Sequence, residues 1–159
     1  MAQNFSKGFR QNAVFAGVTT TTANSTLFSA YVDMANYNGV CFSALFRSTA
    51  ASTGTCTFAL YGAASSTVAK ASAVAISGAT ATISKSTTAT GLRLASIDVY
   101  HPQARYVCAK FTKLASLFIS GAIAQQYDPR VEPAAASTTY AAATAAGAKV
   151  FVAMQSTST

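Results

Sequence analysis

Side chains that could act as acids, bases or nucleophiles are few in this chain. Its 159 residues include only four carboxylates, Asp33, Asp98, Asp128 and Glu132, and one histidine, His101. Catalysis by proton transfer or nucleophilic attack needs such groups in pairs at hydrogen-bonding distance. Asp33 and Asp98 are the two acids in strand-like runs, so a hydrolase built on paired carboxylates is the one enzyme mechanism left open. We otherwise expect no enzyme, no catalytic residue and no cofactor.

The stretch DMANYNGV, residues 33–40, concentrates oxygen ligands between two apolar runs. Calcium binds roughly six to eight oxygens, usually from several carboxylates, and Asp33, Asn36 and Asn38 lack the spacing of an EF-hand loop. The pair Asn38-Gly39 tolerates the positive φ angles of a tight hairpin, and Asn36 can form an Asx turn. The stretch therefore predicts a hairpin turn, with an exposed contact loop as the alternative.

The three cysteines, Cys41, Cys56 and Cys108, are widely spaced and lie in strand-like runs. They match no metal-binding spacing and no redox CxxC motif. A single histidine also excludes a cluster of histidine ligands. We therefore expect no metal site and three buried thiols, with a disulfide between two of them as the alternative.

The charge of the chain is low in amount and basic in sign. Charged residues make up 9% of the sequence, hydrophobic residues make up 51%, and the formal net charge is +7. The eleven Lys and Arg are scattered, and their densest group is Arg105, Lys110 and Lys113, which we interpret as exposed charges. Because there is no basic tract, attraction to an acidic partner surface is favoured over sequence-specific binding of nucleic acid.

No stretch of the sequence has the pattern of a membrane or export segment. Ser, Thr, Gly or a charged residue interrupts every apolar run well short of the roughly 20 residues that span a bilayer. The start, MAQNFSKGFRQNAVFAG, has basic residues without the apolar core that follows them in a signal peptide. We expect a protein made in the cytoplasm that does not engage a membrane.

Alternation of apolar and polar residues predicts many short strands. The runs are 27–33, 40–47, 55–61, a weak strand on each side of Gly78, 92–100, 106–111 and 117–124. The run 40–47 is apolar on both faces, which is typical of a central strand, and the last two runs are predicted to pair. The pattern predicts an all-β fold, a jelly roll or β-sandwich, with an α+β domain as the alternative.

The chain divides into one core with a different segment at each end. Residues 1–26 have no clear period and are interpreted as an extended N-terminal arm, and residues 27–133 as the β-sandwich core. Residues 134–159 are Ala-rich, have no amphipathic stripe, and include a late strand-like run, KVFVAMQ. We interpret this segment as a C-terminal arm and expect contacts through arms and loops.

Three stretches are distinctive when taken together: VDMANYNGV (Val32–Val40), QARYVCAKF (Gln103–Phe111) and GAIAQQYDPRVEP (Gly121–Pro133). Their order resembles that of small proteins encoded beside the major capsid gene in tailed bacteriophages, the capsid cement or decoration proteins. In those, a Val-Asp-Met strand runs into an Asn/Asp-Gly turn and an Arg-Tyr-Val strand follows. A later strand ends in Tyr-x-x-Arg and a proline. The resemblance covers residues 27–133.

The resemblance implies a structural protein of the virion, located on the outside of an icosahedral capsid. Such a protein would bind the major capsid protein, cement neighbouring subunits, and assemble with itself as a homodimer or homotrimer. Two alternatives stay open, a β domain of a phage tail or fibre and a carbohydrate-binding module. For the second, the chain has no Trp, and the rings that could serve are Tyr31, Tyr37, Tyr61, Tyr100 and Tyr127.

Overall fold

Two antiparallel β-sheets packed face to face form the fold in the computed structural model, which describes residues 9–16, 25–48, 54–85, 91–114 and 117–130. Within these ranges the strands are β1 (Phe9–Ala16), β2 (Ser25–Phe28), β3 (Val32–Asp33), β4 (Tyr37–Ser48), β5 (Gly54–Ala63), β6 (Val74–Lys85), β7 (Gly91–Tyr100), β8 (Tyr106–Leu114) and β9 (Leu117–Pro129). A short 3-10 helix, Lys70–Ser72, precedes β6. The prediction of an all-β fold of the β-sandwich or jelly-roll type is confirmed.

The chain passes back and forth between the two sheets, so most neighbouring strands in a sheet are not consecutive in the sequence. Sheet A has the order β1-β9-β4-β7, and sheet B has the order β2-β8-β5-β6, with β3 also beside β8. Strand β4 lies between β9 and β7, and its side chains Val40, Phe42, Ala44 and Phe46 are fully buried. The prediction of a central strand over residues 40–47 is therefore confirmed.

Phenylalanine rings from both sheets fill the space between them. Phe58 of β5 stacks on Phe111 of β8 with ring centroids 5.1 Å apart, and Phe46 of β4 lies edge-on to Phe111 at 6.1 Å. All three rings are fully buried. Each such ring removes a large apolar area from water, so these three residues anchor the core.

Strand β6 bends at Gly78. This glycine has a φ of 77°, a conformation that other residues rarely adopt. The pairing between β5 and β6 shifts register between Ala59 and Tyr61, opposite this bend. The predicted weak strands on the two sides of Gly78 are therefore one strand with a bulge.

The stretch DMANYNGV does not form a hairpin. Strand β3 pairs with β8 in sheet B, whereas β4 belongs to sheet A, so the turn between them carries the chain from one sheet to the other. Asn38 and Gly39 are already in β4 and have negative φ angles, and the turn itself lies at Ala35 and Asn36. The hairpin prediction is wrong because the Asn-Gly pair lies within strand β4 and does not form the turn.

The predicted pairing of the last two runs is also wrong. Strand β8 lies between β2 and β5 in sheet B, and β9 lies between β1 and β4 in sheet A. Leu117, Phe118 and Ile119 at the start of β9 are all buried, as is typical where a chain crosses between two packed layers. A short link therefore joins two layers here, not two neighbouring strands.

The predicted N-terminal arm needs a correction. Its residues 9–16 form β1, an edge strand of sheet A that pairs with β9, and Val14 on this strand is buried in the core. Residues 25 and 26 begin β2 in sheet B. The two sheets thus begin inside the segment that we interpreted as an arm. The C-terminal arm at 134–159 and the boundary at residue 133 lie outside the described residues.

Candidate functional site

Asp33 organises the turn that follows β3. Its carboxylate accepts the N–H of Ala35 at 3.0 Å, and the N–H of Tyr37 donates to the carbonyl of Met34 at 3.2 Å. The Arg105 guanidinium donates to both Asp33 oxygens, at 3.1 and 3.0 Å, and these hydrogen bonds hold the pKa of Asp33 below its usual value. The Asx turn that we predicted at Asn36 is therefore made by Asp33.

A buried glutamine, Gln126, joins the two sheets beside this turn. Its Nε2 donates to the backbone carbonyl of Asp33 at 2.7 Å, and its Oε1 accepts from Nδ2 of Asn12 at 2.8 Å. The residue is only 1% exposed, and a buried amide without partners would cost about 1–3 kcal/mol. Sequence patterns did not single out Gln126, because it stands in a polar run that is typical of a loop.

The three stretches that carry the phage resemblance meet at this end of the sandwich. Strand β3 of the first stretch pairs with β8 of the second, and the N–H of Met34 donates to the carbonyl of Arg105 at 2.7 Å. The third stretch joins them where the N–H of Arg130 donates to the carbonyl of Asn36 at 2.9 Å. Three stretches that are distant in sequence therefore form one structural unit.

Two tyrosines cross over strand β4 in opposite directions on the outer face of sheet A. The hydroxyl of Tyr100 in β7 donates to Asp128 in β9 at 2.7 Å, and the hydroxyl of Tyr127 in β9 donates to Asp98 in β7 at 2.7 Å. The ring planes are within 16° of parallel, with centroids 6.3 Å apart. Asn38 adds an amide hydrogen bond to Asp128 at 3.1 Å. We call these five residues the tyrosine cluster.

Gly39 makes room for this cluster. It pairs with Tyr100 on one side and with Tyr127 on the other. A Cβ atom at position 39 would overlap the Tyr127 ring. The glycine is therefore required because a ring lies directly against the backbone, and not because of a positive φ.

The hydrogen bonds of the tyrosine cluster move pKa values away from neutrality. Bonds from Tyr100 and Asn38 lower the pKa of Asp128. Burial, and then the bond to Asp98, raise the pKa of Tyr127. A general acid or base works best with a pKa near the operating pH. The cluster thus suits a fixed network between three strands and not proton transfer.

The structure does not bring the two strand carboxylates together. Asp33 lies in sheet B and is bound by Arg105, whereas Asp98 lies in sheet A and is bound by Tyr127. The paired-carboxylate arrangement that the sequence left open is therefore not formed. The two carboxylates of the tyrosine cluster, Asp98 and Asp128, are each bound by a different tyrosine.

His101 and Arg130 occupy the rim of the tyrosine cluster. His101 is exposed, has a φ of 52°, and sets its ring edge-on to that of Tyr100, with the ring centroids 4.2 Å apart. Nε of Arg130 donates to Oδ1 of Asn38 at 2.9 Å. Arg130 therefore binds Asn38, while Asp128 accepts from Tyr100 and Asn38.

Two leucines stand exposed on the outer face of β7. Leu92 is 65% exposed and Leu94 is 70% exposed. Leu94 pairs with Leu45 of β4, and directly opposite residues of an antiparallel pair point to the same face. We call Leu45, Leu92 and Leu94 the leucine patch. Sequence analysis missed it, although the available signal was that Asp98 shares a strand face with both β7 leucines.

The three basic residues interpreted as exposed charges have different surroundings. Arg105 is exposed and Lys110 is half-buried on the outer side of sheet B. Lys113 is only 1% exposed, its ammonium lies 5.2 Å from the ring centroid of Phe118, and burial lowers its pKa. The interpretation is wrong for Lys113, because the two-residue period of β8 points it to the inner side.

All three cysteines are free, as predicted, but only two of the three are buried. Cys56 and Cys108 are buried, and burial raises the pKa of each to about 11, whereas Cys41 is half-buried. Among the described residues, no three His, Cys, Asp or Glu side chains group closely enough to hold a metal ion. Within the same residues, we find no helix with the length and hydropathy needed to cross a bilayer.

Comparison with known proteins yields similar structures only. No family model matches the chain, and no curated protein matches it. Isomalto-dextranase of Arthrobacter globiformis T6 in complex with panose aligns at 12% identity and a TM-score of 0.43, over 75% of this chain and 23% of that one. The chain thus spans about a quarter of that structure's length.

Two other solved structures align with this chain at similarly low scores. The CBM22-1–GH10 modules of Clostridium thermocellum xylanase 10B with xylohexaose align at 14% identity and a TM-score of 0.40, over 83% of this chain and 28% of that one. Desmodium yellow mottle tymovirus aligns at 9% identity and a TM-score of 0.37, over 80% of this chain and 90% of that one. These values are low, so the functional argument rests on the chain's own residues.

Proposed function

We propose that this chain is a structural protein of a tailed-phage virion that binds the outside of the icosahedral capsid and cements neighbouring subunits of the major capsid protein. The observation that carries the proposal is the leucine patch. The solvent side of an antiparallel sheet is normally polar, so adjacent exposed leucines on that side are suited to contact with a partner. Leu92 and Leu94 have no packing role inside the sandwich, since most of each side chain faces water.

Three further features support a structural role. The described acids are each engaged in a turn or in the tyrosine cluster, so a function that needs only surfaces accounts for them best. The stretches that resemble cement proteins meet in one structural unit. A net charge of +7 favours attraction to an acidic shell. In this proposal the protein is made in the host cytoplasm, joins the virion surface, and assembles as a homodimer or homotrimer.

Co-sedimentation with shells tests this proposal. Shells of a tailed-phage major capsid protein would be assembled, expanded, mixed with the purified protein, and pelleted. We expect the wild-type protein to pellet with the shells and to raise their disassembly temperature. The double variant Leu92→Ser, Leu94→Ser should remain folded and lose at least about tenfold in affinity, because the apolar contact is removed.

Val74 provides the matched control. It is 74% exposed but lies on β6 of the other sheet, so Val74→Ser removes a similar apolar group from a different place. We expect this variant to bind shells like the wild type. A wild-type protein that stays in the supernatant at all concentrations tested would refute the proposal.

A carbohydrate-binding module is the second candidate. The observation in its favour is Tyr100, which is 57% exposed on the outer face of sheet A with two carboxylates nearby. Exposed rings beside polar groups are the usual platform for a sugar. A glycan array distinguishes the candidates, since binding that is lost in Tyr100→Ala would favour this one, and an array without hits would remove it.

A further inference from the structure

The outer face of sheet B holds cations over aromatic rings. Nζ of Lys110 in β8 lies 4.9 Å from the ring centroid of Tyr61 in β5 and 5.8 Å from that of Phe28 in β2. The same Nζ donates to the hydroxyl of Tyr61 at 3.4 Å. Lys110 is therefore held between rings of the two neighbouring strands.

A second set of rings and cations continues this arrangement. Nζ of Lys70 lies 5.9 Å from the ring centroid of Tyr31, and Tyr31 meets Tyr106 edge-on at 6.2 Å. The guanidinium of Arg105 lies 5.1 Å from the Tyr106 ring. We call the combined surface the cation–aromatic face; its residues are Phe28, Tyr31, Tyr61, Lys70, Arg105, Tyr106 and Lys110.

Strand register places Phe28, Tyr61 and Lys110 on one side of the sheet. Phe28 of β2 pairs with Lys110 of β8, and Tyr61 of β5 pairs with Cys108, two residues before Lys110. Directly opposite residues, and residues two apart on a strand, point to the same side. Phe111, one residue after Lys110, is fully buried, so Lys110 and its neighbours face outward.

Charge is unequally divided between the two outer faces. Asp33 is the one carboxylate among the described residues that touches the cation–aromatic face, and Arg105 already binds it at two oxygens. Asp98 and Asp128 lie on the outer face of sheet A. Lys70 and Lys110 are thus left without a carboxylate partner in the described part of the chain.

We infer that the cation–aromatic face docks an acidic polypeptide segment, with carboxylates of the partner bound by Lys70 and Lys110. The rings hold both ammonium groups before binding, which lowers the entropy lost when a carboxylate arrives. The bidentate bond between Arg105 and Asp33 shows the geometry with which this face already takes a carboxylate.

Single-stranded nucleic acid fits this face less well. A strand of phosphates is followed by a continuous groove of cations with rings free to stack on bases. Here each cation lies over a ring, and Asp33 adds a negative charge beside Arg105. Separate cations spaced by rings match separate carboxylates better than an unbroken run of phosphates.

The inference deepens the proposed function, because a protein that joins neighbouring capsid subunits needs a second contact surface besides the leucine patch. Its experiment uses purified protein without shells, so the two ideas can fail independently. Fluorescent poly-L-glutamate is titrated with the full chain at low salt, and a thymidine oligonucleotide of similar charge is titrated in parallel. Thermal unfolding checks that each variant is folded.

The decisive variant is Lys70→Gln, Lys110→Gln, and the matched control is Arg10→Gln, Arg47→Gln. Both remove two positive charges, but the control charges are exposed on strands of sheet A. We expect the first variant to weaken poly-L-glutamate binding by about tenfold or more and the control by less than about threefold.

Three results would overturn the inference. The first is wild-type protein that does not bind poly-L-glutamate at low salt. The second is an equal loss of affinity in both double variants, since net charge alone would then explain binding. The third is tighter binding of the oligonucleotide that depends on Lys70 and Lys110, because the occupant would then be nucleic acid.

Discussion

The two outer faces of the sandwich expose different kinds of chemical groups. On sheet A, polar groups bind one another in the tyrosine cluster, and the apolar leucine patch is exposed on the same face. On sheet B, Lys70 and Lys110 lie over aromatic rings and have no carboxylate partner among the described residues. One face therefore offers a contact by burial of apolar area, and the other offers a contact by charge.

In the proposed function, this difference would let a chain with few charged residues bind two partners through separate surfaces. Apolar contacts are little affected by salt, whereas contacts between exposed charges weaken as the screening length shortens. Two surfaces of one chain can thus be distinguished in a single binding experiment by ionic strength alone. Each prediction below tests one region of the molecule against a matched contrast.

The largest expected loss of stability follows substitution of Gly39, the glycine that lies against the tyrosine cluster. Gly39→Ala should lower the free energy of unfolding by about 1–3 kcal/mol, because the new methyl group displaces the Tyr127 ring from Asp98. Chemical denaturation measures this directly. Gly121→Ala is the control, since the nearest atom to its Cβ would be the carbonyl oxygen of Phe15 at an ordinary 3.7 Å. Equal losses in the two variants would contradict the packing argument.

A smaller loss of stability is expected when the pH is lowered. The pKa of Asp33 and that of Asp128 are both lowered by hydrogen bonds in the folded state, from Arg105 and from Tyr100 respectively. Each group therefore stabilises the fold fully above its unfolded pKa of about 3.9 and ceases to do so as pH falls through its lower folded value. Thermal unfolding between about pH 5 and pH 2.5 should show this loss.

The two faces should differ in the size of this acid effect. Asp33→Asn should flatten the pH dependence more than Asp128→Asn, because Arg105 is a full positive charge whereas Tyr100 is a neutral donor. At neutral pH the Asp33 variant should lose less than about 1 kcal/mol, as is usual for an exposed ion pair. An unchanged pH dependence in both variants would show that these bonds do not govern acid stability.

The smallest stability effect is expected at the leucine patch. Leu94→Ser should change the free energy of unfolding by no more than about 0.5 kcal/mol, because the side chain is 70% exposed. Leu60→Ser is the contrast, since Leu60 is fully buried and its loss should cost several times as much. A large loss in Leu94→Ser would mean that the patch belongs to the fold and not to a partner.

Cysteine labelling reports on the same comparison without a substitution. Cys41 is half-buried on sheet A, whereas Cys108 is buried beneath the rings of sheet B and burial raises its pKa to about 11. A thiol of such high pKa is largely unreactive at neutral pH. We expect iodoacetamide to label Cys41 several times faster than Cys108 in the native protein. Peptide mass spectrometry gives the rates, and faster labelling of Cys108 would contradict the burial of that face.

Much of the fold could be predicted because alternation with a period of two reveals which residues share a face. The runs that became β4, β5 and β7 were found at nearly their observed bounds. Pairing could not be predicted, since the period says nothing about which strand lies alongside. The turn after β3 and the link before β9 both join different sheets, and neither the Asn38-Gly39 pair nor chain proximity could show this.

The functional surfaces were harder to find than the strands. Leu92 and Leu94 alternate like core residues, and only the shared face with Asp98 indicates that they point to water. The cation–aromatic face joins residues from β2, β5, β8 and the segment before β6, so it depends on a strand order that the sequence does not contain. Gln126 was missed because its partners, Asn12 and Asp33, come from other strands.

Shell binding at two salt concentrations tests the central claim that the two faces make separate contacts of different chemistry. Occupancy on shells would be measured at low and at high salt for the wild type, for Leu92→Ser, Leu94→Ser, and for Lys70→Gln, Lys110→Gln. The account predicts that the leucine variant binds weakly and that its remaining affinity falls steeply with salt. It also predicts that the lysine variant binds moderately and changes little with salt. The same salt dependence in both variants would contradict it, because the two faces would then act as a single surface.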